Sequence, residues 1–458
     1  MNQLTEVHDR GEIRSAVRLL ALPVLMEQML SYLVALVDTF LAGQLGEVAT
    51  QATGAVGLAG YISWLGTLLF GLIGIGTTAI VARAWGAGRR REANRIANQA
   101  ILLSAGLGIL FLILMQPAAP FFAWLLRMEG LSGEIVIRYL RIDAVGLTFT
   151  SVTLAIAAAL RGVGDMRTPM FVLGFVNIVN AVCSWVLVHG LGPIPALGVD
   201  GIVLGTLIAR ASGGLLMLLV LARGAGGLQL RRRQLRPRSK LAKRIVRIGL
   251  PAAADGLVLW GGHFLFLMII SQLAPGTAGE TIFAAHIVGI RVEAITYLPA
   301  VAWGYAAASL VGQNLGAGRP KAAVAIGHEA ARQCALVGAV MMVLLFAAAE
   351  PIYDLLHEEP AVGAVGAPAM RLLALFQIPV VLSIVYIQAL RGAGDTRWPL
   401  LISCIGILVV RLPLAYLCGI VLDGGLVGAW AGMCGDQVIR AGLAFHRFAS
   451  GRWTQTTV

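Results

Sequence analysis

Apolar runs alternate with short polar breaks along the whole chain. Twelve of these runs are long enough for the roughly 20 residues that a membrane-spanning helix needs. The predicted spans are 15–43, 52–80, 94–116, 134–160, 168–190, 197–222, 245–273, 280–312, 324–348, 362–390, 398–420 and 425–446. Several exceed 20 residues, so we expect tilted or protruding helices. The pattern predicts an all-α polytopic membrane protein with 12 transmembrane helices.

Basic residues concentrate in every second break between the spans. Segments rich in Arg and Lys follow spans two, four, six, eight, ten and twelve, whereas the alternate loops contain few of either. Only the loop 127–138 blurs the alternation. Cytoplasmic loops carry the excess of Lys and Arg, so we expect an integral protein of the plasma (inner) membrane with both termini in the cytoplasm.

A sequence repeat divides the chain into two similar halves. The decapeptide "LRGVGDMRTP" at 160–169 returns as "LRGAGDTRWP" at 390–399, 230 residues later. Three further segments pair at offsets between 227 and 230: 80–93 with 310–323, 21–23 with 249–251 and, more weakly, 198–206 with 425–433. Six spans return the chain to the same side, so the halves are parallel. We expect two six-helix lobes related by a pseudo-two-fold axis along the membrane normal.

The repeat also predicts the domain boundaries and a role for the decapeptide. An N-lobe over 1–222, a basic cytoplasmic linker over 223–244 and a C-lobe over 245–458 follow from the spans. The decapeptides join spans four to five and ten to eleven. We expect their first arginines, Arg161 and Arg391, to anchor helix ends at the membrane interface. The glycines should form a tight turn, and Asp165 and Asp395 should cap or pair locally.

The composition restricts the partners and the chemistry. Of the 458 residues 58% are hydrophobic and 13% charged, against about 25% charged in soluble domains. The net charge of +12 lies in the loops, as topology requires. We therefore expect a monomer whose partners are the lipid bilayer and small organic solutes, without nucleic acid. No phosphate loop, metal-ligand spacing or catalytic set occurs in the sequence, so we expect no enzyme, no cofactor and no metal.

Ionisable residues inside spans are costly and normally face the protein interior or a water-filled cavity. Six acids and two notable bases lie within the predicted spans: Glu27, Asp38, Asp143, Asp255, Glu293, Asp436, Arg291 and Arg411. Asp38 is either a carrier for H⁺ or Na⁺ or a polar cap near the outer end of span one, and we favour the carrier. Asn177 and Asn180 lie on one face of span five and serve either interhelical hydrogen bonding or cation binding.

The second half carries its own candidate cleft residues. Arg291 and Glu293 correspond to Tyr61 and Ser63 in the first half, so the repeat is chemically asymmetric. Arg291 pairs either with Asp255 or with an acid on another helix. Arg291 and Glu293 serve either transport in the cleft or a purely structural ion pair. For Asp436 we expect nearby Arg440 as the partner. Glu27 and Asp255 follow Pro23 and Pro251 at matched places, which favours a structural role.

These segments together resemble the MATE family, the multidrug and toxic compound extrusion transporters. The resemblance covers nearly the whole chain and is carried by "LPVLMEQMLSYLVALVDTFLAGQLG" at 22–46, "IRVEAITYLPAVAWGYAAASLVGQNLGAG" at 290–318 and both decapeptides. It implies export of drugs or other amphipathic organic cations, driven by inward H⁺ or Na⁺. The family's N-lobe cation site maps onto Asp38, Asn180, Ser184 and Thr206.

Two departures from the family pattern concern the coupling ion. Ser184 replaces an acid, which leaves a one-acid site that suits a proton better than Na⁺. Asp255 matches the family's alternative acid on helix seven only loosely. A flippase for lipid-linked or polyisoprenoid substrates is the alternative function, but it would call for a strongly basic cleft or extra spans. A major-facilitator transporter would carry an Asp-Arg pair in loop two–three, where this chain has "WGAGRRREA".

Overall fold

The computed structural model describes residues 10–46, 49–125, 128 and 130–457, and its long elements are all α-helices. These residues form α1 Arg10–Gly43, α2 Ala49–Gly86, α3 Arg90–Leu125, α4 Gly130–Gly162, α5 Arg167–His189, α6 Val199–Ala222, α7 Ser239–Ile270, α8 Gly276–Gly316, α9 Pro320–Ala347, α10 Ala349–Leu356, α11 Pro360–Leu375, α12 Gln377–Gly392, α13 Arg397–Val421 and α14 Gly425–Ala449. Within these ranges no β-strand forms, and Leu191 and Ile194 make one isolated bridge. The predicted all-α class is confirmed.

Ten of the described helices are long and apolar enough to cross a membrane, or eleven if the bent pair α11 and α12 is one span. The helix at the predicted twelfth span, α14, is outside this count, although it covers the predicted range. Several helices exceed the membrane: α8 has 41 residues, which corresponds to about 60 Å against a hydrocarbon core of about 30 Å. The expectation of tilted or protruding helices stays a prediction.

The predicted tenth span is two helices rather than one. α11 ends at Leu375, α12 begins at Gln377, and their axes differ by 54°. Pro379 stands in the first turn of α12 and has no N–H to donate to the carbonyl of Leu375, so the α-helical hydrogen bonds cannot run through this point. The apolar pattern did not reveal this break, because the segments on both sides of it are hydrophobic.

Glycine-mediated packing explains the weakest of the sequence repeats. A Cβ atom on Gly201 or Gly205 of α6 would lie 2.4–2.6 Å from atoms of Leu187 or Ser184 on α5. In the second half, a Cβ atom on Gly428 or Gly432 of α14 would likewise lie 2.2–2.4 Å from backbone atoms of Cys418 or Ala415 on α13. Small residues four apart allow helix backbones to approach closely. The repeat therefore preserves a helix–helix contact.

The chain divides into two compact units, which we describe separately. One comprises Met26–Ala253, and the other comprises residues 10–25 with 254–457 of the described chain. α1 and α7 therefore each contribute to both units. Each unit has its own apolar core, which surrounds Tyr139 and Leu140 in the first and Tyr353 and Trp430 in the second. The predicted lobe boundaries at 222 and 245 stay a prediction.

Candidate functional site

Three of the four residues predicted for the N-lobe cation site meet between α5 and α6. Asn180 donates from Nδ2 to Oγ1 of Thr206 over 2.9 Å. Thr206 and Ser184 both donate to the carbonyl oxygen of Ile202, over 3.0 and 3.4 Å. Gly205 makes this possible, because any side chain there would collide with Ser184. Asn180 Oδ1 is buried and accepts no hydrogen bond from the described residues.

The fourth predicted residue, Asp38, lies on α1 and is half-buried. Its Oδ1 atom is fully buried and accepts no hydrogen bond from the part of the chain that the structure describes. Two charged side chains, Arg210 of α6 and Asp143 of α4, lie close enough to interact electrostatically with it. An acceptor without a donor inside the protein is costly, so this oxygen is available to a proton or a cation.

An ion pair beside Asp38 was not predicted from the sequence. Arg210 donates from Nη1 to Oδ1 of Asp143 over 2.8 Å, and Ser63 donates to Oδ2 of the same carboxylate over 2.6 Å. Gly146 leaves room for the arginine, since a Cβ there would lie 3.1 Å from its Cδ. The sequence did offer one indication of this ion pair, because Arg210 is a single arginine within the apolar run of span six. Thr206 and Arg210 are one turn apart on α6. The polar residues around Thr206 therefore adjoin the ion pair of Arg210 and Asp143.

The interhelical alternative for Asn177 is what the structure contains. Its Nδ2 donates to Oγ of Ser31 on α1 over 3.2 Å, where Ser31 is exposed and Asn177 is half-buried. Ser31 and Asp38 are seven residues apart and therefore lie on one face of α1. This contact joins α1 to α5 within the unit Met26–Ala253.

The four candidate cleft residues of the C-lobe fall into three separate places. Glu293 is buried and accepts a hydrogen bond from the hydroxyl of Tyr297, one turn further along α8. Arg411 of α13 is also buried, and its charge and that of Asp436 lie near Glu293. Asp255 belongs to a different ion pair, and Arg291 is exposed. Of the two partners considered for Arg291, the alternative Asp255 is wrong, because Asp255 accepts from Arg391 instead.

Asp436 also has a different main partner from the one expected. Arg411 donates to Asp436 Oδ2 from Nη2 over 2.6 Å and from Nε over 2.9 Å, whereas Arg440 Nη1 is 3.9 Å away. Gly406 on α13 permits this approach, since a Cβ there would lie 2.1 Å from Asp436 Oδ1. α13 has widened π-helical turns over Cys404–Arg411, a feature that often accompanies functional sites.

Two buried ion pairs occupy matched positions in the repeat. Arg161, at the end of α4, donates to Glu27 of α1 over 2.5 Å, and their side chains are 7% and 3% exposed. Arg391, at the end of α12, donates to Asp255 of α7, and these side chains are 15% and 1% exposed. The expectation that both arginines anchor at the membrane interface is wrong: they point into the protein. The predicted structural role of Glu27 and Asp255 agrees with this geometry.

The glycines and Asp165 of the decapeptides behave as expected, whereas the expectation of a local partner for Asp395 is wrong. Gly164 and Gly394 have φ of 88° and 87°, a left-handed conformation that glycine adopts without strain. Asp165 accepts from the backbone N–H and the hydroxyl of Thr168 over 3.0 and 2.7 Å, which caps the start of α5. Asp395 instead pairs with Arg447 over 2.7 Å. Both copies are structural turns.

Metal-ligating groups are not gathered anywhere in the described residues. No set of three or more His, Cys, Asp and Glu side chains there could hold a metal ion, and the five cysteines are free thiols. His286, which shares a helical face with Glu293, accepts a hydrogen bond from Nε1 of Trp430 over 3.2 Å. It packs in the core rather than in a ligand set.

Comparison with known protein families shows which family the chain belongs to. The MatE family model matches residues 23–186 and again 251–417, which together exceed half of the chain. The chain belongs to the MatE family. The same description thus covers both halves of the repeat, and the resemblance inferred from the sequence is confirmed.

Relatives of this MatE protein are transporters of similar length. A probable multidrug resistance protein NorM of Thermotoga maritima is 29% identical over 447 residues, covering 98% of this chain and 94% of the relative. The multidrug resistance protein PmpM of Pseudomonas aeruginosa is 27% identical over 438 residues, with 93% and 88% covered. The MatE protein is therefore an integral membrane transporter of a multidrug efflux family and not an enzyme.

Solved structures share its fold. A MOP superfamily transporter from Pyrococcus furiosus superposes with a TM-score of 0.90 at 21% identity, over 99% of this chain and 98% of the other. A MATE transporter in the bent conformation gives a TM-score of 0.88 at 22% identity, with 99% of both chains covered. At this identity the likeness establishes the fold of the MatE protein alone.

Proposed function

We propose that this protein is a secondary active antiporter that exports drugs or other amphipathic organic solutes, often cationic, in exchange for H⁺ or Na⁺. The observation that carries the proposal is the buried Oδ1 of Asp38, which accepts no hydrogen bond from the described residues. The membership in a family of multidrug efflux transporters supports the substrate class. The flippase alternative is not favoured, since the relatives are named for multidrug resistance.

The coupling site in this proposal consists of Asp38, Asn180, Thr206 and Ser184. α1 and α5 are joined by the contact between Ser31 and Asn177, and Asp38 and Ser184 each follow two turns later. If odd-numbered spans run in one direction, as the topology predicts, Asp38 and Ser184 lie at one level of the membrane. The free acceptor of Asn180 adds a second oxygen to the same site.

Within this proposal a proton is the favoured coupling ion. Na⁺ prefers a shell of several oxygen atoms and no neighbouring cation, whereas Arg210 adjoins Asp38. The Thr206 hydroxyl already accepts from Asn180 and donates to Ile202. A single carboxylate beside an existing ion pair can exchange one proton without any such shell.

The proposal includes transport by alternating access in the predicted arrangement of twelve spans in two six-helix lobes, with both termini in the cytoplasm. α14 would supply the twelfth span, since its charged residues Asp436 and Arg440 are buried in protein rather than facing lipid. Parallel repeats of this kind occur in transporters that rock one bundle against the other. The C-lobe residues Glu293 and Arg411 would then respond to substrate rather than to the coupling ion.

The test is efflux from proteoliposomes that contain the purified protein. Cationic dyes are loaded, and either a pH gradient or a Na⁺ gradient is imposed in otherwise identical buffers. We expect dye movement to follow the pH gradient and to stop when a protonophore dissipates it. Movement that follows Na⁺ alone would assign the other ion, and no gradient-dependent movement of any dye would refute antiport.

A further inference from the structure

The segment between α6 and α7 is held on the start of α3 by a set of side-chain amides. Asn94 and Asn98 accept from the backbone N–H groups of Gln229 and Arg231 over 2.6 and 2.9 Å. Gln99 donates to the carbonyl oxygens of Gln234 and Arg236 over 2.6 and 2.9 Å, and accepts from the N–H of Arg238 over 2.9 Å. All belong to the unit Met26–Ala253. The basic linker therefore has a fixed backbone here.

This attachment creates a cavity of about 330 Å³, which we call the linker pocket. Its polar lining consists of Arg90, Arg91, Arg231, Asn94, Gln229 and Gln234. Among the described residues that line it, none is acidic. Glu92, the nearest acid in sequence, pairs instead with Arg89 over 2.8 Å and with Arg244 over 2.7 Å. Three positive charges thus share one small cavity.

Arg90, Arg91 and Arg231 are all exposed, and contacts within the protein orient two of them, Arg90 and Arg231. The guanidinium of Arg90 lies 5.1 Å from the ring centroid of Trp85, and Trp85 in turn packs against Gly227, where a Cβ would lie 2.7 Å from the ring. Nε of Arg231 donates to Oε1 of Gln229 over 3.3 Å. Like charges held together repel each other, and a bound anion removes that cost while accepting charge-assisted hydrogen bonds.

The exposed face of α6 indicates where the linker pocket would lie relative to a membrane. Leu215 and Leu219 of α6 are both 57% exposed and lie one turn apart on one face. Arg223, one further turn along, is exposed, and the next residue, Gly224, lines the pocket. An apolar exposed stripe that ends in arginine marks the edge of the membrane core. The phosphate groups of membrane lipids lie at that level.

We propose that the linker pocket binds the phosphate headgroup of an anionic phospholipid, with Arg91 and Arg231 as its main ligands and Arg90 beside them. A soluble phosphate compound offers the same chemistry. A lipid can in addition place its acyl chains along the exposed apolar face of α6, which ends beside the pocket. General attraction of basic loops to the membrane differs from this proposal, because it would not distinguish arginines inside the pocket from those outside it.

The experiment measures lipid binding to the full chain in detergent by native mass spectrometry, with phosphatidylglycerol and phosphatidylcholine as probes. The pocket variant is Arg91→Gln with Arg231→Gln. Its matched control is Arg232→Gln with Arg233→Gln, which removes the same charge from two exposed linker residues that do not line the pocket. Inorganic phosphate and glycerol 3-phosphate are added as soluble competitors. The single variant Arg91→Gln gives a second measurement with less change to the linker.

We expect one phosphatidylglycerol to bind at least about tenfold more tightly than phosphatidylcholine, and the pocket variant to lose about tenfold in that affinity. The control variant should lose no more than about threefold, and soluble phosphate at equal concentration should not displace the lipid. Equal losses in both double variants would overturn the proposal, as would equal binding of the two lipids or displacement by glycerol 3-phosphate. None of these results depends on transport, so the antiport proposal is tested separately.

Discussion

Arg161 and Glu27 form a buried ion pair across 2.5 Å that fastens the end of α4 to α1. The same relationship recurs between Arg391 and Asp255, where it fastens the end of α12 to α7. Both acids follow a proline inside their helix by four residues, and a helix that lacks one backbone hydrogen bond is more easily bent. Each pair lies within one unit and holds a helix that a proline makes easier to bend.

Removing one partner of the Arg161–Glu27 pair should destabilise the protein strongly. Arg161→Gln or Glu27→Gln leaves an uncompensated buried charge, and we expect a loss of about 3–5 kcal/mol in the free energy of unfolding. The double variant should lose less than the sum of the two. The melting temperatures of the purified variants, measured by size-exclusion chromatography with fluorescence detection, show whether the double variant loses less stability than the two single variants together.

The control for that cycle is the exposed pair of Arg138 and Asp200, which are 2.8 Å apart with side chains 53% and 32% exposed. Surface pairs contribute about 0–1 kcal/mol, so Arg138→Gln should change the melting temperature little. Equal effects at both pairs would show that burial does not decide the strength of these contacts.

Asp38→Asn should abolish gradient-driven efflux and leave the protein folded. The amide cannot take up and release a net proton as a carboxyl group can, and the side chain has no hydrogen bond to lose at its buried Oδ1 atom. Efflux after a pH jump and the melting temperature are measured on the same preparation. Wild-type efflux by the variant would contradict the role of Asp38 as the carrier.

Close packing of α13 against α14 gives a prediction that is independent of transport. In Gly432→Ala the new Cβ would lie 2.4 Å from the backbone nitrogen of Ala415, so the helices must separate, at a cost of about 1–3 kcal/mol. Gly106→Ala on α3 is the matched control, because nothing lies within 4 Å of a Cβ there. It should leave stability unchanged or raise it slightly. Thermal unfolding of both variants decides the comparison.

The features that sequence reasoning predicted correctly are local ones. Apolar run length shows where helices lie, and the repeat shows which residues are equivalent, so the turn at Gly164 and the cap at Asp165 could be predicted. Partners on different helices could not be predicted, because the spacing of residues along the chain does not show which sides of two helices are in contact. Asp143 and Arg210 are 67 residues apart, and the two partners Asp255 and Arg391 are separated by 136 residues.

Glu293→Gln should reduce transport more than Glu27→Gln, with rates expressed per folded molecule. Glu293 accepts from Tyr297 and lies near the charges of Arg411 and Asp436, so neutralising it alters the charge balance of this whole cluster. Glu27 by contrast serves one structural pair, and its variant should lose stability rather than rate. Tyr297→Phe removes only the hydrogen bond, so its transport rate should lie between those of the unchanged protein and Glu293→Gln. Dye efflux from proteoliposomes with quantified folded protein measures all three, and the reverse order of the two glutamates would assign the functional acid to Glu27.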